Sequence, residues 1–183
     1  MRVIAGSAKG RTLKSPRGGQ VRPTSDLVRG AIFDMLDAAG VSYDRVLDLY
    51  AGTGALGIEA LSRGSGTCDF VERDPRTAEL IRQNLRLTNF ESRGRVIVAP
   101  VERALPRLRP PYTLILADPP YADDAAIGAI EALVSAVADR HTTLALEQSK
   151  RRAPPPRLGP LHLVRTRRHG DTVIAVYRGE VES

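Results

Sequence analysis

The chain has few of the residues from which metal centres, disulfide frameworks and aromatic stacking platforms are built. Its 183 residues include one cysteine, three histidines and no tryptophan, with five tyrosines and three phenylalanines. A single cysteine forms no internal disulfide, and Cys68 and the widely spaced histidines show no metal-ligand spacing. We therefore expect no metal. The scarcity of aromatic residues also argues against an RNA-binding platform of several stacked side chains.

Long apolar runs are absent as well. After Arg2 the chain begins with only three apolar residues, Val3 to Ala5, far fewer than the core of a signal peptide needs. No stretch approaches the roughly 20 apolar residues of a membrane span. We expect a cytoplasmic protein with no membrane partner. Its length and 42% apolar content predict one globular domain with at most a small appendage.

Lysine is scarce beside arginine, and the net charge of +6 is unevenly distributed. Residues 1–30 carry seven basic and one acidic side chains, residues 31–149 carry 12 and 17, and residues 150–183 carry eight and three. An acidic middle therefore lies between two basic ends. The middle is rich in short apolar strands, which a disordered chain is not. The basic ends are candidates for contact with an anionic partner.

Strands and helices alternate along most of the chain, which predicts an α/β fold. Five strands near 46–50, 67–72, 95–99, 113–117 and 142–146 are each followed by a helix or a break, and strands near 161–167 and 172–178 form a hairpin. We expect a Rossmann-like, seven-stranded, mostly parallel sheet with a C-terminal antiparallel hairpin. Residues 1–24 should form a basic hairpin and loop extension of a domain spanning 25–183. Ligands bind at the C-terminal strand ends of such sheets.

A nucleoside pocket is predicted where the first strand ends. Gly52, Gly54 and Gly57 follow the GxGxxG pattern between a strand and a helix, and Glu72 ends the next strand, where its carboxylate can accept hydrogen bonds from ribose hydroxyls. Nicotinamide dinucleotides and S-adenosylmethionine both use such a pocket. Asp48 favours S-adenosylmethionine, because a carboxylate repels pyrophosphate but attracts an ammonium. The glycines could instead serve only helix packing, and Asp48 could cap backbone N–H groups.

The sharpest motif is Asp118-Pro119-Pro120-Tyr121, at the end of the fourth strand. An exocyclic amine on a purine is a poor nucleophile because its lone pair is delocalised into the ring. The Asp118 carboxylate and the Pro119 carbonyl can each accept one N–H of the amine, while Tyr121 stacks on the base. The prolines hold these groups in place. A Pro-rich turn with Asp118 as a helix cap is the alternative.

Residues 48–54 (DLYAGTG) resemble the first motif of class I S-adenosylmethionine-dependent methyltransferases, and the whole chain resembles the bacterial RsmD family. The segments that carry this resemblance are RxIAGxxxGRxL (2–13), VRPTSDxVR (21–29), AGTGALGIEALSRG (51–64) and HGDT (169–172) with Tyr177. The resemblance implies methylation of the exocyclic N2 of guanine 966 in 16S rRNA, on an assembled or partly assembled small subunit. It implies no metal, and we expect a monomer.

Positions carried over from the resemblance give a candidate site. The catalytic loop would be 118–121, and the cofactor contacts would be Asp48, Tyr50, Ala51, Gly52, Thr53, Gly54, Gly57, Glu72, Arg73 and Glu102. Arg73 could lay its aliphatic stem over the adenine or could be solvated. Many relatives have Asp-Ala after the third strand, but this chain has Ala99-Pro100-Val101-Glu102, so Glu102 or the backbone alone would read the adenine.

The basic side chains near the N-terminus are expected to contact RNA phosphates. They are Arg2, Lys9, Arg11, Lys14, Arg17, Arg22 and Arg29, with Arg22 and Arg29 nearest the catalytic mouth. Three other functions stay open at this point: an adenine-N6 nucleic-acid methyltransferase, a nicotinamide-dependent oxidoreductase, and a non-catalytic RNA-binding assembly factor.

Overall fold

The structure, a computed structural model, describes residues 1–16, 25–120 and 125–180. Its α-helices are α1 (Asp26–Ala38), α2 (Ala55–Arg63), α3 (Pro75–Thr88) and α4 (Ala126–Val137). Its strands are β1 (Arg45–Leu49), β2 (Thr67–Glu72), β3 (Gly94–Val98), β4 (Leu114–Ala117), β5 (Thr143–Ser149), β6 (Arg157–Leu158), β7 (Leu161–His169) and β8 (Thr172–Gly179). Two short 3₁₀ helices, Val101–Arg103 and Leu105–Arg107, connect β3 to β4.

The strands form one sheet in the order β3-β2-β1-β4-β5-β8-β7-β6. Strands β1 to β5 are parallel, and β8, β7 and β6 are antiparallel. This arrangement confirms the predicted fold class with one strand more than expected. The additional strand, β6, has only two residues, too few for a periodic pattern. Successive crossovers run outward from β1 in opposite directions, so a topological switch point lies between β1 and β4.

Both faces of the sheet are covered, as the crossovers require. Side chains of β1 alternate between the two faces. Val46 packs in the core shared with α1, α2 and α3, whereas Leu47 and Leu49 pack in the core shared with α4. This alternation directs Asp48 toward the α2 side of the sheet.

Two of the helices begin at side chains that cap their first turn. Ser25 caps α1, its Oγ accepting a hydrogen bond from the Val28 N–H at 3.2 Å. Asp74 caps α3 through the Thr77 N–H at 2.7 Å, with Pro75 in the first turn. Leu27 lies in the first turn of α1, at the margin of its apolar stripe, and its side chain is 71% exposed.

Residues 1–16 pack against the domain. The two short strands predicted there reduce to one antiparallel bridge between Arg2 and Thr12. Side chains of α2 hold the backbone: the Glu59 carboxylate accepts the N–H groups of Ile4 and Ala5, each at 2.9 Å. The buried apolar residues of the segment join the same core as α1 and α2; they are Val3, Ala8 and Leu13. The segment is thus part of the folded core.

Candidate cofactor and catalytic site

The turn after β1 is built from left-handed backbone. Tyr50, Gly52 and Gly54 have φ values of 55°, 56° and 78°. The Gly54 N–H closes the turn on the Ala51 carbonyl at 2.8 Å, and Gly54 is the N-cap of α2. Glycine is needed at 52 and 54 because side chains there would be strained. The turn therefore presents backbone at the C-terminal edge of the sheet.

Gly57 has a different role from Gly52 and Gly54. A Cβ atom at this position would lie 2.3 Å from the Phe70 ring and 2.8 Å from the Cys68 sulfur. Gly57 thus lets α2 pack closely on β2, and its N–H donates to Asp48. The structure places it behind the turn, where it supports the site through Asp48.

Asp48 is the most unusual carboxylate of the site. It is 1% exposed; Oδ2 accepts the Gly57 N–H at 2.9 Å, and Oδ1 is buried with no hydrogen-bond partner among the described residues. Burial, and then the charges of Asp118 and Glu72, raise the pKa of Asp48 well above its ordinary value, against the opposing hydrogen bond from Gly57. Both sequence interpretations of Asp48 are thus compatible: one oxygen caps a backbone N–H, and the other has no donor among the described residues.

Glu72 is oriented by two backbone donors. Its Oε2 accepts the Gly52 N–H and its Oε1 accepts the Asp74 N–H, both at 2.9 Å. A carboxylate has about four lone-pair directions, so this half-buried group can still accept two hydroxyl donors. Glu72 is therefore held in a fixed position beside the glycine turn.

Asn84 supports the glycine turn and was not found by the sequence analysis. It is fully buried; its amide nitrogen donates to the Thr53 carbonyl at 2.9 Å and to the Lys14 carbonyl at 3.1 Å, and its oxygen accepts the Lys14 N–H at 2.8 Å. The available signal was a polar residue on the apolar stripe of α3, next to Ile81 and Leu85. Asn84 connects the N-terminal segment to the turn.

The Asp-Pro-Pro motif begins where β4 ends. Ala117 pairs with Leu49 in the register of β4 and β1, so Asp118 comes level with Tyr50 at the edge that carries the glycine turn. Asp118 is half-buried, Pro119 is buried and Pro120 is exposed. The negative charge of Asp118 contributes, after burial, to raising the pKa of Asp48. Tyr121 lies outside the described residues.

Arg73 and Glu102 lie at this same edge, after β2 and in the first 3₁₀ helix after β3. Both are exposed. No hydrogen bond or ion pair within the described ranges joins either side chain to the glycine turn. The expected cofactor contacts of Arg73 and Glu102 therefore remain predictions.

Arg29 does not face RNA, and this corrects the sequence analysis. It is 0% exposed, and its Nη2 donates to the Arg2 carbonyl and to Asp26 Oδ1, the latter at 2.9 Å. Its Nε lies 3.8 Å from Glu59 Oε2. Because a buried charge needs a charged partner, Arg29 connects α1, α2 and the N-terminal segment within the core.

The other N-terminal basic residues that the structure describes are exposed, but they are spread along the domain. Arg11 Nη1 donates to the Leu87 carbonyl at 2.7 Å, and Lys14 Nζ to Gln83 Oε1 at 3.0 Å. Lys9 follows Ala8, whose N–H donates to Ser62 Oγ. Ser62 is eight residues after Gly54, about 12 Å along α2. Arg2 is exposed beside this segment, and the predicted contacts Arg17 and Arg22 lie outside the described residues.

Neither a metal centre nor a membrane span is found in the described part of the chain. Within residues 1–16, 25–120 and 125–180, no group of three or more His, Cys, Asp or Glu side chains could hold a metal ion. None of the helices in those ranges has the length and apolar character to span a membrane.

Comparison with known proteins places the chain in a family. The family described as "Conserved hypothetical protein 95" matches residues 1–178. The YlbH protein of Bacillus subtilis (strain 168) is 36% identical over 97% of this chain and 98% of its own length. Ribosomal RNA small subunit methyltransferase D of Escherichia coli (strain K12) is 35% identical over 66% of this chain and 60% of its own length.

The fold agrees with this relationship. The solved structure of YhhF from Escherichia coli superimposes with a TM-score of 0.84 at 28% identity, covering 100% of this chain and 99% of that one. The sheet order, the glycine turn and the strand-end carboxylates are those expected of a class I methyltransferase fold. The chain belongs to the "Conserved hypothetical protein 95" family, which is the RsmD family.

Proposed function

We propose that the protein transfers a methyl group from S-adenosylmethionine to the exocyclic N2 of a guanine in 16S rRNA of an assembled or partly assembled small ribosomal subunit. The observation that carries the proposal is the position of Asp118 and Pro119, at the end of β4 and across the switch point from Asp48 and the glycine turn. The relationship to an rRNA small subunit methyltransferase supports the substrate. This substrate would place the reaction in the cytoplasm.

The residues at the glycine turn fit the proposed cofactor. The unpartnered Oδ1 of Asp48 would accept the ammonium of the methionine moiety, and the lone pairs of Glu72 would accept the ribose hydroxyls. Gly52 and Gly54 would let the ligand approach the backbone. A nicotinamide dinucleotide would bring a pyrophosphate toward the buried carboxylate of Asp48, which disfavours that alternative. When bound, S-adenosylmethionine supplies a methyl group already activated by a sulfonium.

Asp118 and Pro119 would hold the acceptor. The carboxylate of Asp118 and the carbonyl of Pro119 each accept one N–H of the guanine amine, which turns the nitrogen lone pair away from the base plane. Tyr121 would stack on the extruded base. Asp118 also stabilises the positive charge that develops on the nitrogen. After the nitrogen gains its methyl group, Asp118 can accept the proton that must leave and pass it to water.

Transfer of labelled methyl groups tests the proposal. The protein is incubated with radiolabelled S-adenosylmethionine and with small subunits from cells that lack the modification, naked 16S rRNA, or DNA. We expect label in rRNA. Label in DNA alone, or in none of the three, would overturn the assignment.

Two variants locate the chemistry. Asp118→Ala should abolish transfer and leave S-adenosylmethionine affinity, measured by calorimetry, within about threefold of the wild type. Asp44→Ala removes an exposed carboxylate just before the opposite end of β1 and should retain full activity. If Asp118→Ala loses cofactor binding as well, Asp118 supports the fold rather than the chemistry.

A further inference from the structure

Strand β7 is exposed and rich in arginine. Its nine residues include Arg165, Arg167 and Arg168 and no acidic residue, and every side chain from Val164 to Arg168 is exposed. Strand β6 pairs only with Leu161 and His162, and no other described strand covers the remaining outer edge of β7. The proposed chemistry uses none of these arginines.

The register of the sheet places these arginines at the catalytic edge. Ala117, the last residue of β4, pairs with Leu146; Leu146 pairs with Ala175, and Ala175 with Thr166. Thr166 is therefore level with the end of β4, and Arg167 and Arg168 continue past it as Asp118 and Pro119 do. Strand β7 is three strand spacings from β4, and at about 4.8 Å each this separation is about 14 Å.

Within residues 1–16, 25–120 and 125–180, no carboxylate neutralises the charges of these arginines. No ion pair among the described residues involves Arg165, Arg167 or Arg168; Arg168 Nε donates only to the Gly170 carbonyl, at 3.1 Å. The nearby carboxylate of Asp171 pairs with Lys150 Nζ at 2.5 Å instead. Three unneutralised guanidinium groups on an open strand attract phosphates, which guanidinium forks bind well.

We propose that Arg165 and Arg167, which share one face of β7, together with Arg168 on the other face, form an RNA-backbone surface that binds phosphates of the rRNA flanking the target guanine. This inference rests on the proposed function and adds a second binding surface to it. Two of the described N-terminal charges are less suited to the task, since Arg29 is buried and Lys9 lies beside the distant part of α2. Guanidinium groups that bind phosphates hold the RNA backbone and read no base, so specificity would come from the catalytic loop.

A triple variant tests the surface. Arg165→Gln, Arg167→Gln and Arg168→Gln together should weaken binding of naked 16S rRNA at least tenfold near physiological salt. The slope of log K against log salt should become shallower by about 0.7–0.9 for each phosphate that the protein no longer binds. The KM for rRNA should rise, while kcat stays within about twofold and S-adenosylmethionine affinity is unchanged.

The chain offers a matched control. Arg140, Arg157 and Arg178 are three exposed arginines at the opposite end of the same strands, where Arg178 pairs with Thr143 and His162. Replacing all three with glutamine removes the same charge from the edge of the sheet opposite the catalytic site. The RNA affinity of this control should stay within about threefold of the wild type. Its slope of log K against log salt should stay within about 0.5 of the wild-type slope. An equal loss of RNA affinity in both triple variants would show that RNA is attracted by the total charge of the protein. That result would overturn the proposal that β7 is an RNA-binding surface.

Edge strands are often protected from aggregation by charges of either sign, so a further variant separates this role from RNA binding. Arg165→Glu with Arg167→Glu keeps a charged edge and should remain soluble, yet it should bind RNA more weakly than the glutamine triple. Wild-type RNA affinity in this variant would refute the surface while the proposed function stands. A wild-type protein that transfers no methyl group to rRNA would refute both.

Discussion

Replacing Asp48 with asparagine should stabilise the ligand-free protein and weaken its cofactor binding. Asparagine is an isostere of the protonated acid: its oxygen can keep the 2.9 Å bond from the Gly57 N–H, and it places no charge at the buried Oδ1 position. The variant therefore differs from the wild type chiefly by the free energy of ionising a buried carboxyl group. That difference should vary with pH.

The sign follows from the raised pKa of Asp48, which is caused first by burial and then by Asp118 and Glu72. A carboxyl whose pKa is higher in the folded than in the unfolded chain loses folding stability as pH rises from about 4 toward the folded value. Each pH unit between the two values costs about 1.4 kcal/mol, or about 3–6 °C in Tm for a chain of this size. Asp48→Asn should match the wild type near pH 4 and exceed it at neutral pH.

Thermal unfolding from pH 4 to 8, with calorimetric titration of S-adenosylmethionine, measures both effects. Losing a charge-assisted hydrogen bond to the ligand ammonium should reduce affinity about 10–100-fold. Asp69→Asn is the control: Asp69 is buried but satisfied, by Arg95 at 2.7 and 2.9 Å and the Tyr112 hydroxyl at 2.6 Å. It should lose about 1–3 kcal/mol of stability and keep its affinity. A lower Tm for Asp48→Asn at neutral pH would show that ionised Asp48 does not destabilise the fold, and wild-type affinity would show that Asp48 does not bind the cofactor.

Three further outcomes follow from the site and its supports. Asn84→Ala should weaken S-adenosylmethionine binding in calorimetry as well as stability, because it frees the Thr53 carbonyl, whereas Thr88→Ala, which removes bonds only within α3, should affect stability alone. Glu72→Gln should reduce affinity for S-adenosylmethionine more than for its 2′-deoxy analogue. Equal losses of affinity for the two ligands would show that Glu72 does not bind the ribose hydroxyls. Deleting residues 1–13 should lower Tm by more than about 5 °C, since it leaves the Glu59 carboxylate without two of its donors; an unchanged melting curve would show that the segment is dispensable.

The sequence predicts where a residue lies when chain topology alone decides its position. Gly52, Glu72 and Asp118 each follow or end a strand of a parallel sheet, and the βα alternation brings such strand ends to one edge whatever the details of packing. Their approximate positions could therefore be derived from the spacing of short apolar runs. The spacing of apolar runs also predicts the C-terminal hairpin, because its two strands are close in sequence.

Side chains whose role depends on tertiary packing could not be placed in this way. Arg29 reads as a solvated charge because nothing local shows that Asp26 and Glu59 flank it. Asn84 reads as an ordinary helix residue because its partners, Lys14 and Thr53, are 70 and 31 positions away. Only the register of the four paired strands β4, β5, β8 and β7 shows that Arg167 lies level with the catalytic edge.

Identification of the methylated nucleoside tests the central claim most directly. Small subunits from cells lacking the modification are incubated with the protein and S-adenosylmethionine, and the rRNA is digested to nucleosides and analysed by mass spectrometry against a reaction with Asp118→Ala. We expect N2-methylguanosine in the wild-type reaction and none in the variant reaction. N6-methyladenosine, or no new methylated nucleoside, would contradict the proposed function.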